Sequence, residues 1–407
     1  MVTGLWKLTR IALTAGVLPL AAALMIASTG AAQGRTLAQL KAEVQARAER
    51  NAYPVNGLKP GEVREALSRI HSFNGDEWAA SWSILGDRYM TKAQAELASS
   101  PQQASKDFLQ AWRYYSFGAW PAPVTPGKQK AYEKGLRAYL AFARLLAQPL
   151  EVVHIPFEGK EITGYLQMPK SPKPAPIVIA IPGLDQRKEN MAERFRQMLA
   201  YGVGYLALDA PGAGQAPIKA APGAERMFSP VIDYLYQRPD VDHSHIVVYG
   251  ASYGGYWSTV LAVTEKDRLC GVVSQSPPVD KFFQRASTMA IPANREYLFD
   301  YLPAHLLMFG VANIDQLAAV HEKMSLKTRG LLDKPTAPML VIGGALDTQV
   351  PISDTDLLLN SGQTPKDAWI NPQGGHMGRE AKVWSGARIF KSVTVPWILR
   401  RVGVKPY

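Results

Sequence analysis

The run Ile246-Val247-Val248-Tyr249-Gly250-Ala251-Ser252-Tyr253-Gly254-Gly255-Tyr256-Trp257 sets a serine between two different patterns. Four β-favouring residues lead into Gly-Ala-Ser-Tyr-Gly, and a helical pattern from Trp257 to Glu265 follows. A serine so placed lies on a tight turn between the carboxyl end of a strand and the start of a helix. The backbone there tolerates little bulk, which gives Gly250 and Gly254 their reason. Ser252 as an ordinary helix N-cap would leave both glycines unexplained. The bare five-residue pattern also arises by chance in loops that contain Gly and Ser. Framed by a strand and a helix, it reads as a nucleophile elbow.

Outward from the elbow the alternation continues. Ile177 to Ile181 is a continuous apolar strand of the fully buried kind. Strand-like runs recur at Tyr205–Leu208, Gly271–Ser274 and Met339–Ile342, with helical patterns at Met191–Tyr201 and Met227–Tyr236. Strand–helix alternation predicts an α/β fold, a mostly parallel doubly wound sheet covered on both faces. Before it, Val152–Phe157 and Ile162–Met168 predict a two-stranded hairpin. Residues from Asp280 to about Lys334 break the alternation and predict a helical insert before the next strand.

From Leu37 to about Leu150 the pattern is helical throughout. Apolar residues recur at three- and four-residue spacing in Val63-Ala66-Leu67-Ile70 and in Leu136-Tyr139-Leu140. The expected organisation is a helical cap domain over residues 33–150 and a catalytic domain over 151–407. Aromatic residues are dense between Trp112 and Trp120. Packing between helices accounts for most of them; a roof over a pocket for a hydrophobic compound is the alternative for some.

A parallel α/β sheet gathers its chemistry at the carboxyl ends of the strands. Ser252 follows one strand, and Asp347 follows Met339–Gly344. His376 stands in Asn371-Pro372-Gln373-Gly374-Gly375-His376, after the strand-like Ala368–Asn371. The chain order Ser, Asp, His is that of the α/β-hydrolases. Serine is a poor nucleophile until a base takes its proton, a role for His376. Asp347 would fix the imidazole tautomer and stabilise the imidazolium. The backbone N–H groups of Tyr253 and Leu184 would form an oxyanion hole, Leu184 from the loop Pro182-Gly183-Leu184-Asp185. The Gly374-Gly375 pair predicts a flexible loop that carries His376 over the sheet edge.

Rival assignments exist for each residue. Asp347 could be a turn residue, with Asp280 after the preceding strand as the acid. Six other histidines compete with His376. His71 and His321 fall in helical stretches, His305 in the insert and His154 in the hairpin. His243 and His245 flank the wrong end of the nucleophile strand; as a metal pair they lack a third and fourth ligand. Cys270, the single cysteine, excludes an internal disulfide and a cysteine-cluster metal site and is expected to be buried. No cofactor and no metal is expected, and the partner is a small-molecule substrate.

At 407 residues, 47% hydrophobic and 19% charged, the chain reads as globular. Its first 32 residues resemble an export signal. Lys7 and Arg10 precede an apolar run from Ile11 to Ile26, and Thr29-Gly30-Ala31-Ala32 offers small residues for cleavage before Gln33. The apolar run is shorter than the roughly 20 residues of a spanning helix, and Pro19 interrupts it. The expectation is a periplasmic or secreted protein, with an uncleaved membrane anchor as the alternative. Removing the segment lowers the formal net charge of +11 by two. The remaining basic residues are scattered among acids and form no block suited to nucleic acid.

Several motifs together resemble a known group. Ile181-Pro182-Gly183-Leu184-Asp185 with Lys188-Glu189, Asp209-Ala210-Pro211-Gly212-Ala213-Gly214, Arg238-Pro239-Asp240-Val241-Asp242 and Gly250–Tyr256 are similar to α/β-hydrolases of the 2,6-dihydroxypseudooxynicotine hydrolase type. That group is similar to the fungal polyketide-shortening hydrolases and the fermentation-respiration-switch esterases. Trp112-Arg113-Tyr114-Tyr115 and Lys128-Gln129-Lys130-Ala131-Tyr132 extend the likeness into the helical region. The resemblance implies a helical domain over the sheet, often a dimer, and a triad at Ser252, Asp347 and His376. Members cleave esters or a carbon–carbon bond beside a ketone. Some assist the second reaction with an extra acidic residue; Phe283 and Gln284 occupy the region where it would fall. That departure, with the export signal, favours an ester as substrate. The elbow is also similar to that of prolyl-oligopeptidase-type enzymes, but those carry a β-propeller ahead of it, where this chain is helical. A peptidase, or a hydrolase fold that only binds, are the minor alternatives.

Overall fold

The computed structural model describes residues 34–405, apart from 172 and 295. The expected export signal lies outside those residues. Helix α1 (Leu37–Glu49) starts on a reciprocal cap: Gln39 N–H donates to Thr36 Oγ1, and Thr36 N–H donates to Gln39 Oε1. Helices α2 (Pro60–Ser68), α4 (Pro101–Ala119) and α5 (Pro126–Ala143) each begin on proline, whose missing N–H costs nothing in a first turn. Between them, α3 (Gly75–Glu96) is capped by Asn74. The aromatic residues expected to pack between helices do so, with Trp82 edge-on to Phe117 at 4.7 Å and stacked near Tyr114. His71 is not helical, contrary to the sequence expectation. It follows the end of α2, and its backbone N–H donates to Glu77 Oε1 at 2.7 Å.

The sheet begins with the predicted hairpin, β1 (Glu151–Phe157) and β2 (Lys160–Gln167). Then follow β3 (Ala175–Ile181), α6 (Lys188–Phe195), β4 (Gly204–Leu208), α7 (Ser229–Tyr236), β5 (Val241–Ala251), α8 (Tyr253–Thr264) and β6 (Gly271–Gln275). The insert holds α9 (Arg285–Met289), α10 (Tyr301–Phe309) and α11 (Ile314–Met324). The chain ends with β7 (Met339–Gly344), α12 (Ile352–Leu359), β8 (Lys366–Asn371), α13 (Gly386–Ile389) and α14 (Val395–Arg401). The eight strands lie in the order β1-β2-β4-β3-β5-β6-β7-β8. Only the pairs β1–β2 and β2–β4 are antiparallel. Every residue of β4 and β6 is buried, as befits strands covered on both faces.

Strand order reverses between β3 and β5, and such a switch point opens a crevice at the carboxyl ends of the strands. Ile181 of β3 pairs with Gly250 of β5, so both chains leave the sheet side by side there. Helix α8 begins at Tyr253, four residues earlier than the sequence pattern suggests. Gly254 and Gly255 weaken that helical pattern, but the fold needs them small. A Cβ on Gly254 would stand 2.2 Å from the Ile181 carbonyl oxygen, and one on Gly250 would stand 1.9 Å from the Gly254 carbonyl oxygen.

The helical region and the insert pack on each other over this edge. The Trp120 ring stacks on Tyr297 at 5.2 Å, and the fully buried Lys128 ammonium meets Asp300 at 2.7 Å. Tyr139 stacks on Tyr165 of β2 at 5.5 Å. At the start of the insert, the buried Asp354 carboxylate accepts backbone N–H groups from Val279, Lys281 and Phe282 at 2.7–3.1 Å. One side chain thereby fixes where the chain leaves the sheet.

Candidate active site

Ser252 is held at φ 54°, ψ −118°, a conformation that costs a non-glycine residue about 1–3 kcal/mol. The surroundings impose it. Ser252 N–H donates to the Gln275 carbonyl of the neighbouring strand at 2.8 Å, while α8 begins one residue later. The turn carries the hydroxyl to the edge of the sheet, where His376 Nε2 lies 3.0 Å from Ser252 Oγ. The other ring nitrogen, Nδ1, lies 2.8 Å from Asp347 Oδ2. The structure thus brings together the three residues that the sequence placed after three different strands.

Asp280, the rival acid, is engaged elsewhere: the Ser325 hydroxyl donates to its Oδ1 at 2.5 Å. Asp347 also accepts the backbone N–H groups of Gln349 and Val350, each at 2.9 Å. Burial alone would raise its pKa, but the His376 charge and these hydrogen bonds hold it below the ordinary carboxylate value. Burial pushes the His376 imidazole down, yet Asp347 and then Glu296 lift it above its ordinary value against the opposing charge of Arg379.

A set of hydrogen bonds holds the His376 loop against the sheet. Gly374 N–H donates to the Asn371 carbonyl, Gly375 N–H to Arg379 and Leu346 N–H to Gly374. Met377 takes a left-handed conformation; its N–H donates to Ser276 Oγ at 3.0 Å, and its carbonyl accepts Gln275 Nε2 at 2.8 Å. Gly375 has a negative φ and room for a Cβ, whereas a Cβ on Gly374 would stand 2.6 Å from the Gly378 carbonyl oxygen and one on Gly344 2.2 Å from the Gly375 carbonyl oxygen.

Tyr253, one of the two expected oxyanion donors, follows Ser252 directly in the chain. Tyr253 is the first residue of α8, where an N–H has no acceptor within the helix. Its ring is held by the insert: the hydroxyl lies 3.1 Å from His321 Nε2, and the Phe282 and His305 rings pack against it in T-shaped contacts at 5.5 and 5.4 Å. Burial holds His321 well below its ordinary pKa and pushes His305 down to about 4, so both act as neutral packing groups. Leu184 follows Gly183, whose Cβ position is only 3.0 Å from Ser252 Cβ. The next residue, Asp185, ties this loop to the helical region, accepting from Trp120 Nε1 at 3.2 Å and from the Tyr53 hydroxyl. Neither contact has a signature in the sequence.

Leu184, Ala213, Ala304, Leu307 and Met308, with Arg187 and Lys219, line a cleft of about 190 Å³. A second, narrow space of about 20 Å³ is lined by Trp112, Trp120, Tyr132 and Asp185. Trp112 and Trp120 line this narrow space and, like Tyr114 and Phe117, belong to the buried core of the helical region. Phe283 packs among the rings of Tyr253, Tyr256 and His321. Cys270 is half-buried rather than fully enclosed, and burial pushes its thiol up to about 11. His243 lies 3.1 Å from the Arg238 carbonyl and His245 2.7 Å from Asp242, and no metal-ligating cluster occurs among the described residues.

A parallel sheet of this strand order, with a strained serine at its switch point and a histidine and an aspartate beyond it, defines an α/β hydrolase. Within that class the chain belongs to the FrsA-like esterase family, whose model, described as Esterase FrsA-like, matches residues 59–373. It is 26% identical over 323 residues to Esterase FrsA of Vibrio vulnificus (strain YJ016), covering 74% of this chain and 76% of that one. Esterase FrsA of Serratia proteamaculans (strain 568) is 27% identical over 336 residues, covering 76% and 79%. Among solved structures, the 2,6-dihydroxy-pseudo-oxynicotine hydrolase superimposes with a TM-score of 0.72 at 20% identity, over 88% of this chain and 97% of that one. That likeness is one of fold.

Proposed function

We propose that this chain is an exported serine hydrolase that cleaves a carboxylic ester of a small or medium organic acid through an acyl-enzyme. The observation that carries the reading is the continuous path from Ser252 Oγ to His376 Nε2 at 3.0 Å and from His376 Nδ1 to Asp347 Oδ2 at 2.8 Å. Membership in a family whose curated relatives are named esterases supports the ester bond as the target.

His376 takes the hydroxyl proton as Ser252 Oγ attacks the carbonyl carbon. Charge develops on the carbonyl oxygen, where the N–H groups of Tyr253 and Leu184 receive it. The imidazolium, stabilised by Asp347, then protonates the departing alkoxide, leaving the acyl group on Ser252. Water enters, His376 takes its proton, and collapse of the second tetrahedral intermediate releases the acid and restores the serine. Leu184, the second donor of this reading, also lines the cleft in which Ala304, Leu307 and Met308 stand beside Arg187 and Lys219.

Turnover of a chain-length series of p-nitrophenyl esters by the protein starting at Gln33, beside Ser252→Ala, tests the reading. Hydrolysis by the wild type that disappears in the variant is expected, and the preferred acyl length sizes the acyl pocket. Equal rates in the two proteins would overturn the Ser252 mechanism. Absence of turnover in both would overturn the ester assignment and turn attention to ketones with a cleavable carbon–carbon bond.

A further inference from the structure

Glu296 lies in the insert between α9 and α10 and reaches the two loops that carry the acid and the base. Its Oε1 accepts the backbone N–H of His376 at 3.3 Å, and its Oε2 accepts the hydroxyl of Thr348, the residue after Asp347, at 2.6 Å. One carboxylate therefore bridges the end of β7 and the loop after β8. The segment that presents it is itself held. Glu296 N–H donates to Asn294 Oδ1 at 3.0 Å, and the Glu296 carbonyl accepts Arg47 Nη2 of α1 at 3.4 Å.

We propose that Glu296 is a positioning residue of the catalytic site: it holds the His376 backbone in register with Ser252 and sets a second negative charge beside the imidazole. This rests on His376 being the base of the proposed hydrolysis. Both half-reactions pass through an imidazolium, so a carboxylate that stabilises it lowers both barriers. The charged groups facing His376 are Asp347 on Nδ1, Glu296 through the backbone N–H, and Arg379, whose Nε donates to the His376 carbonyl at 3.1 Å. Ser252 on Nε2 is neutral. The two carboxylates act in one direction and Arg379 in the other, and the net effect on the imidazole is upward.

Two linked consequences follow for removal of the charge. Less of the base is protonated at acidic pH, so the acid limb of the rate profile moves to lower pH. The imidazolium formed in the transition state is also less stable, so the plateau falls. A purely structural role would lower the plateau without moving the limb.

Glu296→Gln keeps an acceptor for the His376 N–H and removes the charge. In kcat/KM for a p-nitrophenyl ester, the acid limb is expected to move down by about half a unit to one unit, with a plateau about three- to tenfold lower. Glu296→Asp retains the charge and shortens the reach, so its limb stays near the wild-type position while its plateau falls. The same midpoint is read without turnover by proton NMR of the His376 ring, its signal identified by its loss in His376→Asn. A His376 midpoint in Glu296→Gln that superimposes on the wild type would overturn the proposal, whatever happens to the plateau. Because the NMR titration needs no substrate, a wrong ester assignment and a wrong role for Glu296 give different results.

Discussion

Asp347 is almost out of contact with water, with 2% of its side chain exposed, and its acidity is set by His376 on one side and two backbone N–H groups on the other. Asp347→Asn preserves that shape while presenting an amide whose N–H₂ opposes the Nδ1–H tautomer. The expected result is a loss of about 10³–10⁴ in kcat with little change in KM, since the imidazole would be held in the wrong tautomer. Steady-state kinetics on p-nitrophenyl acetate, with circular dichroism to verify the fold, measures it; a loss below tenfold would remove Asp347 from the mechanism. Ser252, Asp347 and His376 were legible because each follows a strand, and strand ends in a parallel sheet converge. Glu296 was not legible. It stands in a loop without periodicity, and only the folded chain brings it within 3.3 Å of the His376 N–H.

The central strands were legible as elements because burial on both faces makes them continuous apolar runs, as in Ile177–Ile181. The start of α8 was not, because its glycines answer to backbone contact with β3, a demand that helix propensity does not contain. The docking of α5 on the insert was equally hidden, since the charge pair that joins them has no pattern in the sequence. Lys128 Nζ, with no exposed surface, donates to Asp300 Oδ2 at 2.7 Å and to the Trp120 carbonyl at 2.8 Å. Burial lowers the Lys128 pKa, and Asp300 acts against that shift. Replacing either partner leaves the other charge buried, so Lys128→Met is expected to cost about 3–5 kcal/mol. Asp300→Asn should also destabilise, and the double variant should lose less than the sum of the singles by about 1–3 kcal/mol. Urea unfolding of the four proteins measures the cycle; additive losses would mean that the two residues act independently. Because Trp120 also holds Asp185, the same variants should loosen the oxyanion loop.

For the whole molecule, the open question is which part of the chain works, and where. The proposed cleavage before Gln33 would leave Gln33 and Gly34 ahead of Arg35. Arg35 is already part of the folded body: its Nη1 donates to the Tyr297 carbonyl at 2.5 Å and to the Leu298 carbonyl at 3.3 Å, next to Glu296. A mature chain beginning at Gln33 therefore keeps the contact nearest the cut, and cleavage should leave the site intact. The lack of a disulfide fits export as well, because a core of this size does not need one. Expressed at full length in a bacterial host with a periplasm, the protein is expected in the periplasmic fraction with Gln33 as its first residue by N-terminal sequencing. Its kcat/KM should equal that of a chain expressed without residues 1–32. Recovery of the intact chain from the membrane fraction would replace export with anchoring by the uncleaved segment. Recovery of the intact chain from the cytoplasm would reject both readings of those residues.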